Sequence, residues 1–150
     1  MSELVLRLAT FEDSDEIAAL MQRAIQELQS RYLTPAQLES SKAAMGLDSR
    51  LVEDGTYFVI HDGDELVGCG GWSFRATLYG GNHSKGRDDS VLDPATERAK
   101  IRAMYTHPAH TNRGIGRMII DAGEAAARVH GFKAIELAAS AAGKSFYLRC

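Results

Sequence analysis

The sequence predicts an α/β (α+β) fold, with strands and amphipathic helices in alternation, on the strength of three stretches. Between Lys100 and Gly131 an apolar run, Ile101 to Thr106, meets a short loop with Pro108, the turn Arg113-Gly114-Ile115-Gly116 and then a helical pattern. Near the start, alternating leucines precede a second amphipathic stretch. Between these, Tyr57 to Phe74 reads as two β-rich runs joined at Asp62-Gly63, a hairpin turn signal.

Taken in order, Leu4, Leu6 and Leu8 alternate with Val5 and Arg7, as a strand requires. Thr10-Phe11-Glu12-Asp13 opens a helix, with Thr10 as cap and acids in the first turn. Ile17, Leu20, Met21, Ala24, Ile25 and Leu28 mark its apolar face through Gln29. Thr34-Pro35-Ala36-Gln37 predicts a second helix, because Thr34 and Gln37 can complete a capping box and Pro35 suits the first helical position. It should run to about Met45 and stop at Gly46, with another short helical piece over Ser49 to Glu53.

Tyr57 to His61 and Glu65 to Phe74 are the hairpin strands. The second contains Gly68-Cys69-Gly70-Gly71-Trp72, and glycines weaken a strand unless they serve a bulge or a close approach. Two explanations compete: a local twist or bulge, and room for a substrate. Trp72 reads as core or pocket wall, and Cys69 as a small buried hydrophobe. Ala76 to Arg98 lacks periodicity and is long enough to suggest a functional loop, a candidate lid over a site, with a short strand near Thr77 to Tyr79. His83, Lys85, Arg87, Asp88 and Asp89 are its solvated charges.

In the stretch from Lys100, the residues Ile115, Ile119, Ala122, Ala126 and Val129 are spaced 4, 3, 4 and 3, which keeps them on one helix face. Gly131 suits the C-terminus of that helix. Lys133 to Ala139 then reads as a strand with Ile135 and Leu137 on one face.

A strand, a glycine turn and a helix start form an anion site for a physical reason. The first helical N–H groups lack intrahelical partners, and the dipole adds partial positive charge there. Gly114 and Gly116 let a phosphate approach the backbone, and Arg113 and Arg117 flank the turn. A nucleotide P-loop would need Gly-Lys-Ser/Thr, where Arg117-Met118 stands. A dinucleotide fingerprint would need a third glycine, where Ile119 stands. A tight turn that binds nothing is the remaining alternative.

The stretch resembles motif A of the GNAT acetyltransferase superfamily, Gln/Arg-x-x-Gly-x-Gly/Ala between a central strand and a helix. Gly114, Gly116 and His107-Pro108 match, and Thr111 departs where the pattern has Gln or Arg. The order of elements and the Phe146-Tyr147 pair extend the resemblance over nearly the whole chain. It implies a mixed, mostly antiparallel sheet with helices on both faces. It also implies acetyl-CoA as co-substrate and transfer of its acetyl group to an amine, with a small-molecule amine acceptor as partner.

By the same resemblance, the backbone from Thr111 and Asn112 through Arg113, Gly114, Ile115, Gly116 and Arg117 would hold the pyrophosphate. Met104, Tyr105 and Thr106 would pair with the pantetheine arm and put the thioester carbonyl near an N–H. Tyr147 would protonate the leaving thiolate; packing as a plain buried aromatic is its other reading. Glu97 and His107 are the base candidates, beside a water chain. Family members continue with closing strands beyond the position of Cys150, so the resemblance implies that the C-terminal strands are missing. An open apolar edge would then favour aggregation or pairing with another chain, a homodimer being one such outcome. A non-catalytic acyl-CoA-binding or regulatory module is the alternative function, and a purely structural domain a third.

Composition narrows the classes. At 150 residues the chain is expected to be one domain over 1–150. A net charge of −3 without a basic block speaks against nucleic acid as a partner. No apolar run is long enough to span a membrane. Two cysteines, Cys69 and Cys150, make no disulfide framework, so a reduced, cytoplasmic setting is expected. The five histidines show no zinc-ligand spacing, so no metal is expected.

Overall fold

A computed structural model describes residues 3–29, 34–37, 49–76 and 90–136. Strands β1 (Leu4–Leu8), β2 (Tyr57–Asp62), β3 (Glu65–Ser73), β4 (Ala99–Thr106) and β5 (Ile135–Glu136) form one sheet in that spatial order. The first three pairings are antiparallel and β4–β5 is parallel, the mixed, mostly antiparallel sheet expected. Helices α1 (Ser14–Ala24), α2 (Ser49–Glu53) and α3 (Ile115–Val129) complete the described fold.

Helices cover both faces because the strand pleat sends alternate side chains opposite ways. Tyr57, Val59, Cys69 and Tyr105 pack with Ile17, Leu20, Met21, Ala24 and Ile25 of the α1 segment. Their neighbours Ile60 and Val67 pack with Ile115 and Ile119 of α3. Trp72, Ile101, Ala127 and Phe132 extend that second core.

The first helix begins differently from its prediction. A 3₁₀ turn, Phe11–Asp13, precedes α1, and the widened turn Ile25–Gln29 follows it. Asp13 organises the start. It accepts from Thr10 N–H at 2.8 Å and from both ends of the Arg7 guanidinium, each at 2.8 Å. That fork from Arg7, first, and the Thr10 amide hold the Asp13 carboxyl well below the usual carboxylate range. The capping box at Thr34 is present: Thr34 N–H donates to Gln37 Oε1 at 2.9 Å, and Gln37 N–H to Thr34 Oγ1 at 3.2 Å. The predicted extent of that helix to Met45 lies outside the described residues.

The glycine run of β3 serves packing. A Cβ on Gly68 would lie 2.3 Å from Ile115 Cγ2, and one on Gly70 would lie 2.9 Å from Ile119 Cγ2. Helix α3 therefore sits closer to β3 than any side chain would allow. The space in front of Gly68 and Gly70 is filled by protein, so the substrate-room reading gives way to close approach plus a bulge. Cys69 is fully buried, and that burial pushes its thiol up to about 12, which fits the apolar reading. Trp72 is core, packed edge-on against Phe74, His130 and Phe132.

The stretch after β3 is partly built. Ala76 N–H donates to Ser90 O at 2.9 Å and Leu92 N–H to Phe74 O at 2.7 Å, so the two ends of the long insert are tied together. The strand near Thr77 to Tyr79 and the charges His83, Lys85, Arg87, Asp88 and Asp89 lie outside the described residues. No helix among the described residues is long and apolar enough to cross a membrane.

Candidate functional site

The site is assembled where β4 ends. His107 N–H donates to Val67 O at 2.8 Å, which keeps the strand exit on β3. The 3₁₀ turn Pro108–His110 follows, with the His107 side chain accepting from Ala109 N–H at 3.0 Å. Pro108 loses nothing at the first position, where its missing N–H would have no partner. The chain is extended at Thr111, left-handed at Asn112 (φ +64°) and left-handed again at Gly114 (φ +81°) before entering α3. Asparagine tolerates that region and glycine favours it, so the turn is encoded by residues suited to it.

No side chain caps the start of α3, and the Gly114 carbonyl accepts from Met118 N–H at 3.0 Å as the helix begins. Thr111 to Gly114 are exposed, Gly116 is half-buried, and Ile115 is buried against Gly68. The first amides of α3 thus start a 15-residue helix beside an exposed turn. That is the cradle expected of an anion site.

The two flanking arginines differ. Arg113 donates to Asp62 Oδ2 at 2.8 Å and to His110 Nδ1 at 2.6 Å. Arginine has only donors, so His110 Nδ1 accepts, and the proton on Nε2 goes to Glu65 Oε1 at 2.9 Å. This network ties the turn to the β2–β3 hairpin and occupies the Arg113 charge. Its amide is what remains for a ligand. Arg117 is exposed and makes no ion pair with a described residue.

β5 pairs with β4 at Ala99 and Lys100, and the rest of the predicted strand to Ala139 lies outside the described residues. His107 N–H points at β3, so alternation turns the Thr106 backbone to the opposite edge. Midway along β4, Ala103 has φ +49°, a conformation costing roughly 1–2 kcal/mol for a residue other than glycine. Met104 follows it and packs toward Ile115 and Ile119, and Tyr105 is buried on the α1 face. Tyr147 lies outside the described residues.

Both base candidates are engaged. Glu97 Oε1 accepts from Asp93 N–H at 3.0 Å while Glu97 N–H donates to Asp93 O at 2.8 Å, closing a turn. His107 is 8% exposed, and Arg23 Nη1 lies 3.0 Å from its Nε2. A neutral imidazole has one lone pair to give, and Ala109 N–H and Arg23 already compete for it. Burial, first, and then Arg23 and His110 push its pKa down, against Glu65 and Glu27. A histidine held neutral in the fold adds stability that is whole above the unfolded value of about 6.5 and lost as pH falls. Urea midpoints between pH 8 and 5 should therefore drop, and more shallowly in His107→Gln; equal slopes would remove the assignment.

Sequence reasoning missed Asp62, Glu65 and His110 as supports of the turn, and Tyr57, whose hydroxyl donates to Ala103 O at 2.6 Å. It also missed the Lys100–Glu136 pair across β4 and β5. These partners lie far apart in the chain, where spacing carries no signal.

The arrangement defines a class: a mixed sheet whose fourth strand leads through a left-handed turn into a helix. Solved structures resemble the chain in fold. The chain matches a PaiA N-acetyltransferase from Thermoplasma acidophilum in complex with coenzyme A at 12% identity and TM-score 0.69, over 98% of this chain and 87% of that one. A GCN5-related N-acetyltransferase from Rhodopseudomonas palustris matches at 20% identity and TM-score 0.69, over 99% and 81%. A GNAT family acetyltransferase from Brucella melitensis in complex with acetyl-CoA matches at 18% and 0.59, over 96% and 81%. No curated protein matches the chain. The model of the Acetyltransferase (GNAT) family matches residues 21–150, and the chain belongs to that family.

Proposed function

We propose that this protein is an N-acetyltransferase, moving an acetyl group from acetyl-CoA to an amine of a small acceptor in the cytoplasm, with residues 1–150 as one domain. The observation that carries the proposal is the exposed turn from Thr111 to Gly114 running into a helix start that no side chain caps. The amides of Asn112, Arg113, Gly114, Ile115, Gly116 and Arg117, with the Arg117 side chain, hold the diphosphate. Thr111 contributes backbone rather than the longer side chain of the family pattern. Met104, Tyr105 and Thr106 line the pantetheine arm along the C-terminal half of β4.

The deprotonated amine attacks the thioester carbonyl carbon, the C–N bond forms and the C–S bond breaks, Tyr147 gives its proton to sulfur, and the proton that the nitrogen sheds returns to the tyrosinate through water. Holding both reactants contributes up to about 7–11 kcal/mol as effective molarity. Tyr147→Phe should reduce turnover about 100-fold with coenzyme affinity unchanged. That is the lower end for a general acid, since a tyrosine near pKa 10 is poorly matched to neutral pH. Thiol-release kinetics beside calorimetry reads both, and unchanged turnover would remove Tyr147 from the chemistry.

A second reading has its own support. With Glu97 and His107 both engaged, an acyl-CoA-binding module without turnover fits the described residues. Calorimetry with CoA, followed by thiol release over a panel of amines, separates the two. Binding with release supports the enzyme, binding without release the module, and no binding rejects both.

A further inference from the structure

Tyr57 and Ala103 stand on strands that do not touch, with β3 between them, yet they share a 2.6 Å hydrogen bond. Ala103 is where β4 departs from regular pairing. Cys69 opposes Tyr105 and Gly71 opposes Arg102, so Gly70 alone faces both Ala103 and Met104. One residue against two is a bulge, and it re-aims the backbone groups it contains.

The bulge is set from two sides. From β3, Gly70 leaves room: a Cβ there would lie 3.0 Å from Met104 Cα. From β2, the Tyr57 hydroxyl takes the Ala103 carbonyl as acceptor. Tyr57 is 1% exposed, and Cys69 beside it is fully buried. Burial pushes the hydroxyl well up and the thiol to about 12, so both stay protonated and the hydroxyl remains a donor. The peptide bonds are trans, so the Ala103 carbonyl and the Met104 N–H lie antiparallel in one rigid plane. Fixing the carbonyl fixes the direction of the amide.

We infer that Tyr57 is a positioning residue that, through the Ala103 carbonyl, aims the Met104 N–H at the thioester oxygen of the acyl donor. The inference rests on the acyl-transfer reading above, which already sets an N–H of β4 at the thioester carbonyl, and adds to it the residue that holds that donor in place. No bond to Tyr57 forms or breaks. The amide donates to the carbonyl oxygen more strongly as the attacking amine turns it into an oxyanion, and a preorganised donor needs no reorganisation at that moment.

Amide chemical shifts of the ¹⁵N-labelled full chain, titrated with CoA and then with acetyl-CoA, test this directly. Both ligands should move the amides of Gly114 to Arg117, and acetyl-CoA alone should carry the Met104 amide proton downfield. Unmoved Gly114 to Arg117 amides would reject the acyl-transfer reading and the inference with it. Movement there, with Met104 the same in both complexes, would overturn the inference alone.

Tyr57→Phe supplies the second arm. Turnover with the best amine should fall about tenfold, less than the 10²–10³ typical of deleting such a donor outright, with CoA affinity within about twofold. Unchanged turnover, or an equal loss of CoA affinity, would overturn the inference. Should that variant fail to fold, 3-fluorotyrosine at position 57, a stronger donor to the Ala103 carbonyl, should alter the acetyl-CoA-specific shift of the Met104 amide, and an unaltered shift would overturn the inference.

Discussion

Gly116→Glu is expected to weaken acetyl-CoA binding between about 100- and 1,000-fold while leaving the melting temperature unchanged or slightly raised. Gly116 is the second residue of α3, whose first turn carries no acidic residue. For the helix alone the substitution is favourable. Glycine costs about 0.8–1 kcal/mol against a good helix former, and an acid at a helix N-terminus gains roughly 0.3–1 kcal/mol. For a diphosphate held by the same amides it is the reverse. Two like charges about 4 Å apart repel by roughly 4 kcal/mol at an effective dielectric of about 20, close to 1,000-fold, and solvent at this half-buried position reduces that toward 100-fold. Calorimetry with acetyl-CoA and a melting curve give the two readouts. Unchanged affinity would take the phosphates away from the turn, and a fall in both would mean damage to the fold.

Gly71→Ala is expected to destabilise the fold by about 3 kcal/mol or more, lowering the melting temperature by roughly 6–12 °C. An added Cβ would lie 2.2 Å from the Thr56 carbonyl oxygen and 2.9 Å from Tyr57 Cα, both backbone atoms. Backbone in a paired strand cannot rotate away as a side chain can, so β2 and β3 would have to part. The Thr56 carbonyl also accepts from Trp72 N–H at 3.1 Å, a bond that same movement would stretch. Gly55→Ala is the control. Its site is open, with nothing within 4 Å, and its φ of +72° predicts a loss of only about 1–2 kcal/mol. Equal losses for the two variants would mean that the sheet yields, and that Gly71 is there for another reason.

The elements were legible where periodicity and punctuation agree. Leu4–Leu8, the α1 apolar face, the Thr34–Gln37 box, the hairpin and the extent of α3 follow from side-chain spacing and local capping, which act within a few residues. The predicted α3 face fails at its end, where Val129 is exposed and Ala127 is buried instead. The turn at Gly114 was legible for the same reason. A residue for φ +81° followed by an apolar helix stripe is a local signal, and the family match over residues 21–150 agrees with it. The glycine run could be noticed but not interpreted, because what presses on Gly68 and Gly70 is Ile115 and Ile119, about fifty residues later.

The site divides along the same line. The chain by itself determined a fold class, a family resemblance and a glycine turn at a helix start, since each is written in neighbouring residues. Only the tertiary structure decided that Arg113 is tied to Asp62 and His110, that His107 has no lone pair to spare, and that Tyr57 reaches the Ala103 carbonyl. Pairing across a sheet depends on register, and register joins residues whose separation along the chain leaves no trace in the local pattern.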